Sequence, residues 1–424
     1  MQPMTSIINA VKSKLGELGW GALVVFIIFR FNDLASMFYK FYMGHLLPNA
    51  DYGALDPVYA AATLFSIPAV AIFMVATKSI SRLDAMGMQK EKNALIADLL
   101  RMTFAGSVVA FIATFVFQSI IINRLHLSGQ YSYILFLVVL LMWWQPMAMA
   151  IFQGERNYTL LALNALFSAI VLIFASRLLV VNFGFGLHGA FLAKIISGCV
   201  VLVILTLSLN KLKRNVHADY QNEKTVMRET LIPIMIYQAC IVALFHSDKL
   251  FVRNFLCPDS GGYGAIATLG SIPAYFINAM SFVVFPLASA DHAEGKTMVR
   301  YYKQTIMLCF AVMITCSGTF YYLAPIIIKL WNTSFSAYAG YVWIYSAVMS
   351  IHGVIVVFAS IEIASHRYKF LWFMAPASLV TVIILYLFRA QLTIPVIISC
   401  LFVVNVFIAS SLIYSATMRY KNAQ

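Results

Sequence analysis

Long apolar runs, broken by charge, glycine or proline, recur along this chain, and their length decides the reading. Runs near 20–42, 58–78, 101–122, 131–152, 159–181 and 187–209 are followed by six more near 230–256, 263–288, 303–328, 339–362, 370–389 and 394–415. Each is long enough to cross a bilayer, which takes about 20 apolar residues in a helix. Stretches such as 131–151 and 394–413 are apolar on every side, unlike the alternating strands of a membrane β-barrel. The pattern predicts an all-α integral membrane protein of twelve transmembrane helices with short connections. Upstream, residues 1–19 set Ile7, Ile8, Val11, Leu15 and Leu18 at helical spacing beside Lys12 and Lys14, which predicts a short interfacial helix. No small-residue cleavage site follows it, so no removable signal peptide is expected.

Composition narrows the class further. Of 424 residues, 62% are hydrophobic and only 11% charged, with mean hydropathy +0.86. That excludes a soluble globular protein, in which charged residues make up about a quarter. The net charge of +13 would point to nucleic acid in a soluble chain, but here its distribution carries topology. Nineteen Lys and Arg, from Lys12 through Arg82, Lys90 and Lys213 to Lys421, fall in alternate connections, against Arg124, Arg253, Lys329 and Arg389 in the others. The richer side is expected to be cytoplasmic, which puts both termini inside. The basic loops lack the interleaved aromatics of a base-stacking surface, so no nucleic-acid partner is expected. Six cysteines without a CxxC pair indicate neither a disulfide framework nor a metal site. The sequence shows no nucleotide-binding glycine loop, nucleophile elbow or metal-ligand cluster, so neither a cofactor nor an enzyme is expected.

The chain also repeats itself. Seven of the eight residues Ala62–Ala69 recur at Ala267–Ala274; Tyr52-Gly53-Ala54 recurs as Tyr263-Gly264-Ala265, and Asp33 has a counterpart in Asp248. Arg156-Asn157-Tyr158 is echoed by His366-Arg367-Tyr368. Shifts near half the chain length carry span n onto span n+6, which predicts two six-helix lobes in a parallel repeat. The expected units are 1–209, a polar cytoplasmic tether at 210–228, and 229–424. Lobes of this kind bind cargo near the midplane and alternate access by rocking. Pro68 and Pro273, matched between the halves, are candidate hinges or tolerated kinks.

Ionisable groups inside spans are costly and point to function. Arg30, Asp33, Lys40, Arg177, Lys194, Asp248 and Lys249 fall within the runs, and Lys78 and Glu362 at their ends. Lys40, Arg177 and Lys78 lie near boundaries, where snorkelling to the headgroups is an equal reading. Arg30, Lys194 and Lys249 lie deeper and predict a cationic cavity, although Arg30 is also spaced to pair with Asp33 at i, i+3. A cationic cavity needs an anionic cargo. Lys40→Ala is expected to matter less than removal of the three deeper cations. Asp33, Asp248 and Glu362 are candidates for ion pairing or for coupling a proton or sodium ion. Asn164, Asn278 and Gln145 are candidate hydrogen-bonding groups, and Trp143, Trp144, Trp331 and Trp372 are expected as interfacial anchors.

Several segments carry a family likeness: FQGERNY at 152–158, NFGFGLHGAFLAKIIS at 182–197, HSDKLFVRNFLCPDSGGYGAIATLGSIP at 246–273 and FPLAS at 285–289. With these, the chain resembles the polysaccharide-exporter branch of the multidrug/oligosaccharidyl-lipid/polysaccharide (MOP) superfamily, the Wzx-type flippases of lipid-linked oligosaccharides. The resemblance implies two rocking six-helix lobes in a bacterial cytoplasmic membrane and a cationic cavity for a sugar-pyrophosphate head. It implies a lipid tail left in the bilayer, and polysaccharide assembly proteins as partners. Cavity cations carry over onto Arg30, Lys194 and Lys249 by depth alone. A cation-coupled multidrug antiporter of the same superfamily is the competing reading, disfavoured by the positive lean of the deep charges. A membrane glycosyltransferase or polymerase would need catalytic groups on a large outer loop. The longest outer connection expected, 43–57, offers only Asp51 and Asp56.

Overall fold

The computed structural model describes residues 31–209, 221–278 and 299–421, and every regular element among them is helical. In chain order these are α1 (31–46), α2 (Asn49–Ala85), α3 (Gln89–Arg124), α4 (Ser132–Gly154), α5 (Tyr158–Ser176), α6 (Gly186–Leu209) and α7 (Gln221–Phe255). Then follow α8 (Ser260–Gly270, resuming over 272–278), α9 (Val299–Trp331), α10 (Val342–Ala364), α11 (Leu371–Leu387) and α12 (Ile394–Lys421). Nine helical segments among the described residues are long and apolar enough to cross a membrane, and α11 is a shorter apolar helix. The protein is therefore a multi-pass membrane protein. The interfacial helix expected at 1–19, the start of the first span with Arg30, residues 210–220 of the tether, and the end of the eighth span with FPLAS lie outside the described residues.

Several boundaries differ from expectation, the third span's among them, since α3 starts at Gln89 rather than near 101. The connection expected at 43–57 is almost entirely helix, because α1 runs to residue 46 and α2 starts at Asn49. Asp51 in the first turn of α2 faces the positive end of the helix dipole, so an acidic residue here supports a helix start rather than a loop. Similarly, α7 begins at Gln221, inside the segment read as a tether.

Helix pairings recur between the halves. In the first, α2 packs on α4, α3 on α4, α4 on α6 and α5 on α6; in the second, α8 packs on α10, α9 on α10, α10 on α12 and α11 on α12. Helices α4 and α10 are both 23 residues long, and each ends at a left-handed residue, Arg156 (φ 54°) and His366 (φ 52°). The echo between those tripeptides is thus a shared helix stop. The glycine-rich turn between α5 and α6 is also local chemistry: a π-turn over Arg177–Asn182 ends α5, and Gly184 (φ 66°) and Gly186 (φ 50°) take left-handed conformations that glycine adopts without strain.

Helix α2 joins the halves by packing on both α7 and α8. The approach is close because it is lined by glycine: a Cβ on Gly53 would collide with Ser260, one on Gly261 with the Asn49 side chain, and one on Gly264 would lie 3.2 Å from the Tyr52 ring. Elsewhere, exposed Phe104, Ile112, Phe115 and Val116 on α3 and Met307, Phe310 and Ile314 on α9 form apolar faces suited to lipid.

Two tryptophans read as interfacial anchors are instead buried inside the protein. Trp143 fits a slot left by Gly106, and its Nε1 donates to the Phe65 carbonyl at 3.0 Å. Trp331 packs over Gly44, with ring centroids 5.2 Å from Phe41 and 6.0 Å from Tyr52. A glycine on the neighbouring helix makes room for each indole. Trp372, in contrast, is 85% exposed.

Candidate functional site

Most helices around the main described cavity line it with residues at one-face spacing, three, four or seven apart. Asp33, Ser36 and Lys40 come from α1; Asp56, Tyr59 and Thr63 from α2; Gln145 and Met149 from α4; Asn164 and Ser168 from α5; Lys194, Ser197 and Gly198 from α6. The second half adds Phe245, His246 and Lys249 from α7, and Thr268 and Tyr275 from α8. The cavity measures about 460 Å³, within the size range of a small-ligand site.

Lysines dominate its ionisable lining. Lys40 Nζ lies 2.8 Å from Asp56 Oδ1 and donates to Oδ2 at 2.9 Å. Lys194 Nζ lies 5.4 Å and 5.1 Å from the ring centroids of Tyr39 and Tyr59, a cation–π arrangement. Tyr39 is held by donating to the Ala190 carbonyl at 2.8 Å. Lys249 Nζ donates to the Phe245 carbonyl at 3.2 Å and sits 4.3 Å from that residue's ring centroid. Asp56 interacts electrostatically with all three amines, but its one ion pair among the described residues is with Lys40. Lys40, Lys194 and Lys249 against Asp33 and Asp56 leave the described lining one positive charge in excess.

The expected site residues divide. Lys194, Lys249, Lys40 and Asp33 are brought together, while Arg30 lies outside the described residues. Arg177 sits exposed at the start of the π-turn, away from the lining. Asp248 neighbours Lys249 in sequence but turns away from the cavity: it is fully buried, and its Oδ2 accepts from Tyr263 and Tyr345 hydroxyls, both at 2.7 Å. Glu362 is also outside the lining, accepting from Tyr302 at 2.7 Å. Lys78 lies at the far end of α2 from the cavity, its Nζ 2.9 Å from His366 Nε2. Of the two prolines, Pro68 lies within a continuous α2, whereas the helix holding Pro273 is interrupted at Ser271.

Sequence reasoning missed Asp56, Tyr59 and His246. One signal for the first two was present: ten positions separate Tyr52 from Ala62 but only four separate Tyr263 from Ala267. The extra six residues in the first half are the ones that carry Asp56 and Tyr59.

Hydrogen bonds between the halves cluster at the face with few Lys and Arg. Arg253, 3% exposed, donates across the halves through Nε to Leu125 O at 2.8 Å and through Nη1 to Ala50 O at 2.7 Å, and Nη1 is also held by Ser260 Oγ of its own half at 3.0 Å. His126 bonds the Asn254 carbonyl at 3.0 Å, His45 the Leu330 carbonyl at 3.0 Å, and Asn332 donates to Gly44 O at 2.8 Å. This seal ties the halves together on the charge-poor side.

No protein-family model matches the chain, and no curated protein matches it by sequence. The fold is similar to that of a MATE-family multidrug resistance transporter of the MOP superfamily solved in an inward-facing conformation, at 14% identity and TM-score 0.73, over 95% of this chain and 100% of that one. An outward-facing MATE structure is similar at 13% identity and TM-score 0.70, over 96% and 97% of the two chains. So is a MOP-superfamily transporter from Pyrococcus furiosus Vc1, described as having a binding pocket of reversed polarity that suggests a different function, at 13% identity and TM-score 0.71, over 96% and 97%. The likeness is one of fold, and this chain has the MATE-like fold.

Proposed function

We propose that this protein is a flippase that carries an anionic polyprenyl-pyrophosphate-linked oligosaccharide from the cytoplasmic to the outer leaflet of a bacterial cytoplasmic membrane. The observation that carries this reading is the lining of the cavity between the halves, where three lysines face two aspartates. A cargo bearing phosphate is attracted to such a site, and an organic cation is repelled. On this reading twelve spans form two rocking lobes, both termini are cytoplasmic, and the seal around Arg253 belongs to the outer face. The cavity is then the inward-facing state, ready for cargo from inside. Surrounding lipids receive the polyprenyl tail, polysaccharide assembly proteins accept the product, and a proton or sodium ion remains a candidate for coupling.

The test is reconstitution into vesicles with a fluorescent polyprenyl-pyrophosphate oligosaccharide. Transfer between leaflets is expected to exceed that of protein-free vesicles and to fall at least tenfold in Lys194→Gln and Lys249→Gln, with the variants inserted at wild-type levels. Failure to move this lipid, together with proton- or sodium-driven export of ethidium, would establish the multidrug antiporter reading instead.

A further inference from the structure

The three cavity lysines are held in two different ways. Lys40 lies against the Asp56 carboxylate at 2.8 Å, so a ligand meets a nearly cancelled pair. Lys194 and Lys249 have no carboxylate within ion-pair distance among the described residues, and each amine is set against aromatic rings instead. Lys194 Nζ lies 5.4 Å from the ring centroid of Tyr39 and 5.1 Å from that of Tyr59, and Lys249 Nζ lies 4.3 Å from that of Phe245. The arrangement thus occurs once in each half, built from α1, α2 and α6 in the first and within α7 in the second.

The rings are themselves fixed. Tyr39 is 2% exposed and donates to Ala190 O at 2.8 Å, one turn before Lys194 on α6. The Tyr59 ring centroid lies 6.1 Å from that of buried Phe191, and its hydroxyl has no hydrogen-bond partner among the described residues, so the ring is what Tyr59 supplies. The Phe245 ring lies 5.4 Å from that of buried His352. An ammonium taken out of water needs compensation. A carboxylate compensates it by cancelling its charge, whereas an aromatic face does so through a quadrupole and carries no net charge. The field of a quadrupole also falls off faster with distance than that of an ion. An amine on aromatic faces is therefore stabilised while its charge still reaches into the cavity, and Lys194 is half-buried and lines that cavity.

We infer that Tyr39, Tyr59 and Phe245 are positioning residues: they seat Lys194 and Lys249 on aromatic faces so that both amines keep their charge for the phosphates of the cargo. The inference rests on the flippase reading and deepens it, because it separates the lysines that meet the cargo from Lys40, which is neutralised by Asp56.

Bare polyprenyl pyrophosphate, titrated against the purified full-length protein in detergent, is the probe. Tyr59→Leu and Phe245→Leu, each of which removes a ring, are expected to weaken it about three- to tenfold, the range of a partly desolvated cation–π contact. Tyr59→Phe is the conservative rescue: it keeps the ring, removes a hydroxyl without a partner, and is expected to bind within about twofold of wild type. In a Lys194→Gln background, loss of the Tyr59 ring is expected to add nothing, whereas a ring that only packs would cost the same with or without the amine. Phe245→Leu carries the test where Tyr59→Leu fails to fold. Leucine variants that bind as tightly as wild type, a Tyr59→Phe variant as weak as Tyr59→Leu, or an undiminished Tyr59→Leu loss without the amine would overturn the aromatic seats and leave the flippase reading standing. Wild-type protein that binds no polyprenyl pyrophosphate would overturn both.

Discussion

Lys40 and Asp56 show how one pair can set the charge of a site. At 2.8 Å and with both side chains mostly buried, each ion offsets the desolvation cost of the other, and removing one partner leaves a bare charge. The expectation that Lys40→Ala would be mild treated Lys40 as an interfacial lysine. Its position against Asp56 reverses that expectation, because loss of the amine exposes a carboxylate to the anion site. Lys40→Gln is expected to weaken bare polyprenyl pyrophosphate by about tenfold or more, that is ~1.4 kcal/mol. Adding Asp56→Asn should recover binding to within about threefold, as in a double-mutant cycle on a directly coupled pair. A double variant as weak as the single one would show that the lysine acts on the lipid directly and that the pair does not set the charge.

At the level of whole helices, the repeated motif is reused for different contacts. The one mismatch in its eight residues is Phe65 against Gly270. Phe65 lends its carbonyl to Trp143, whereas a Cβ at Gly270 would come within 2.6 Å of Tyr345, the residue that reaches Asp248. The contact between α2 and α8 likewise depends on glycine, which lets backbones approach where lipid offers no hydrophobic drive for association. Gly261→Val is therefore expected to cost ~1–3 kcal/mol, the range for overpacking, and to lower the thermal midpoint in detergent. Gly318→Val provides the control, since it shares the change in helix propensity but faces open space. Equal shifts for the two would remove close packing as the explanation.

On the proposed flippase reading, the whole molecule raises the question of what drives transport. A pyrophosphate-linked cargo carries about two negative charges, and each is worth ~2.3 kcal/mol per 100 mV, so export from a negative interior gains roughly 4–5 kcal/mol if the full field is crossed. Lysines that travel with the cargo reduce that gain by carrying positive charge the same way. Flux in vesicles is expected to rise when a potential, negative on the side of cargo entry, is imposed without ATP. Flux that ignored potential and ion gradients yet demanded ATP would exclude this mechanism.

How much of this was legible follows from the solvent. A bilayer reads total apolarity over about 20 residues, a property of the chain alone, so the apolar helices and the placing of Lys194 and Lys249 well inside them could be taken from sequence. Which way a residue faces was not legible, because lipid and protein interior are both apolar and the usual polar-out signal is weak. Thus Trp143 and Trp331 turn inward, and Asp248 and Lys249, one residue apart, face different surroundings. Asp56 was hidden for a related reason: its polar neighbours suggested a loop, whereas α2 starts at Asn49 and packs against α7 and α8, with the Asp56 carboxylate 2.8 Å from the Lys40 amine. The sequence alone determined a helical, multi-pass membrane protein with positive charge inside its apolar runs. The tertiary structure decided which charges meet, since that depends on the rotation of each helix against its neighbours.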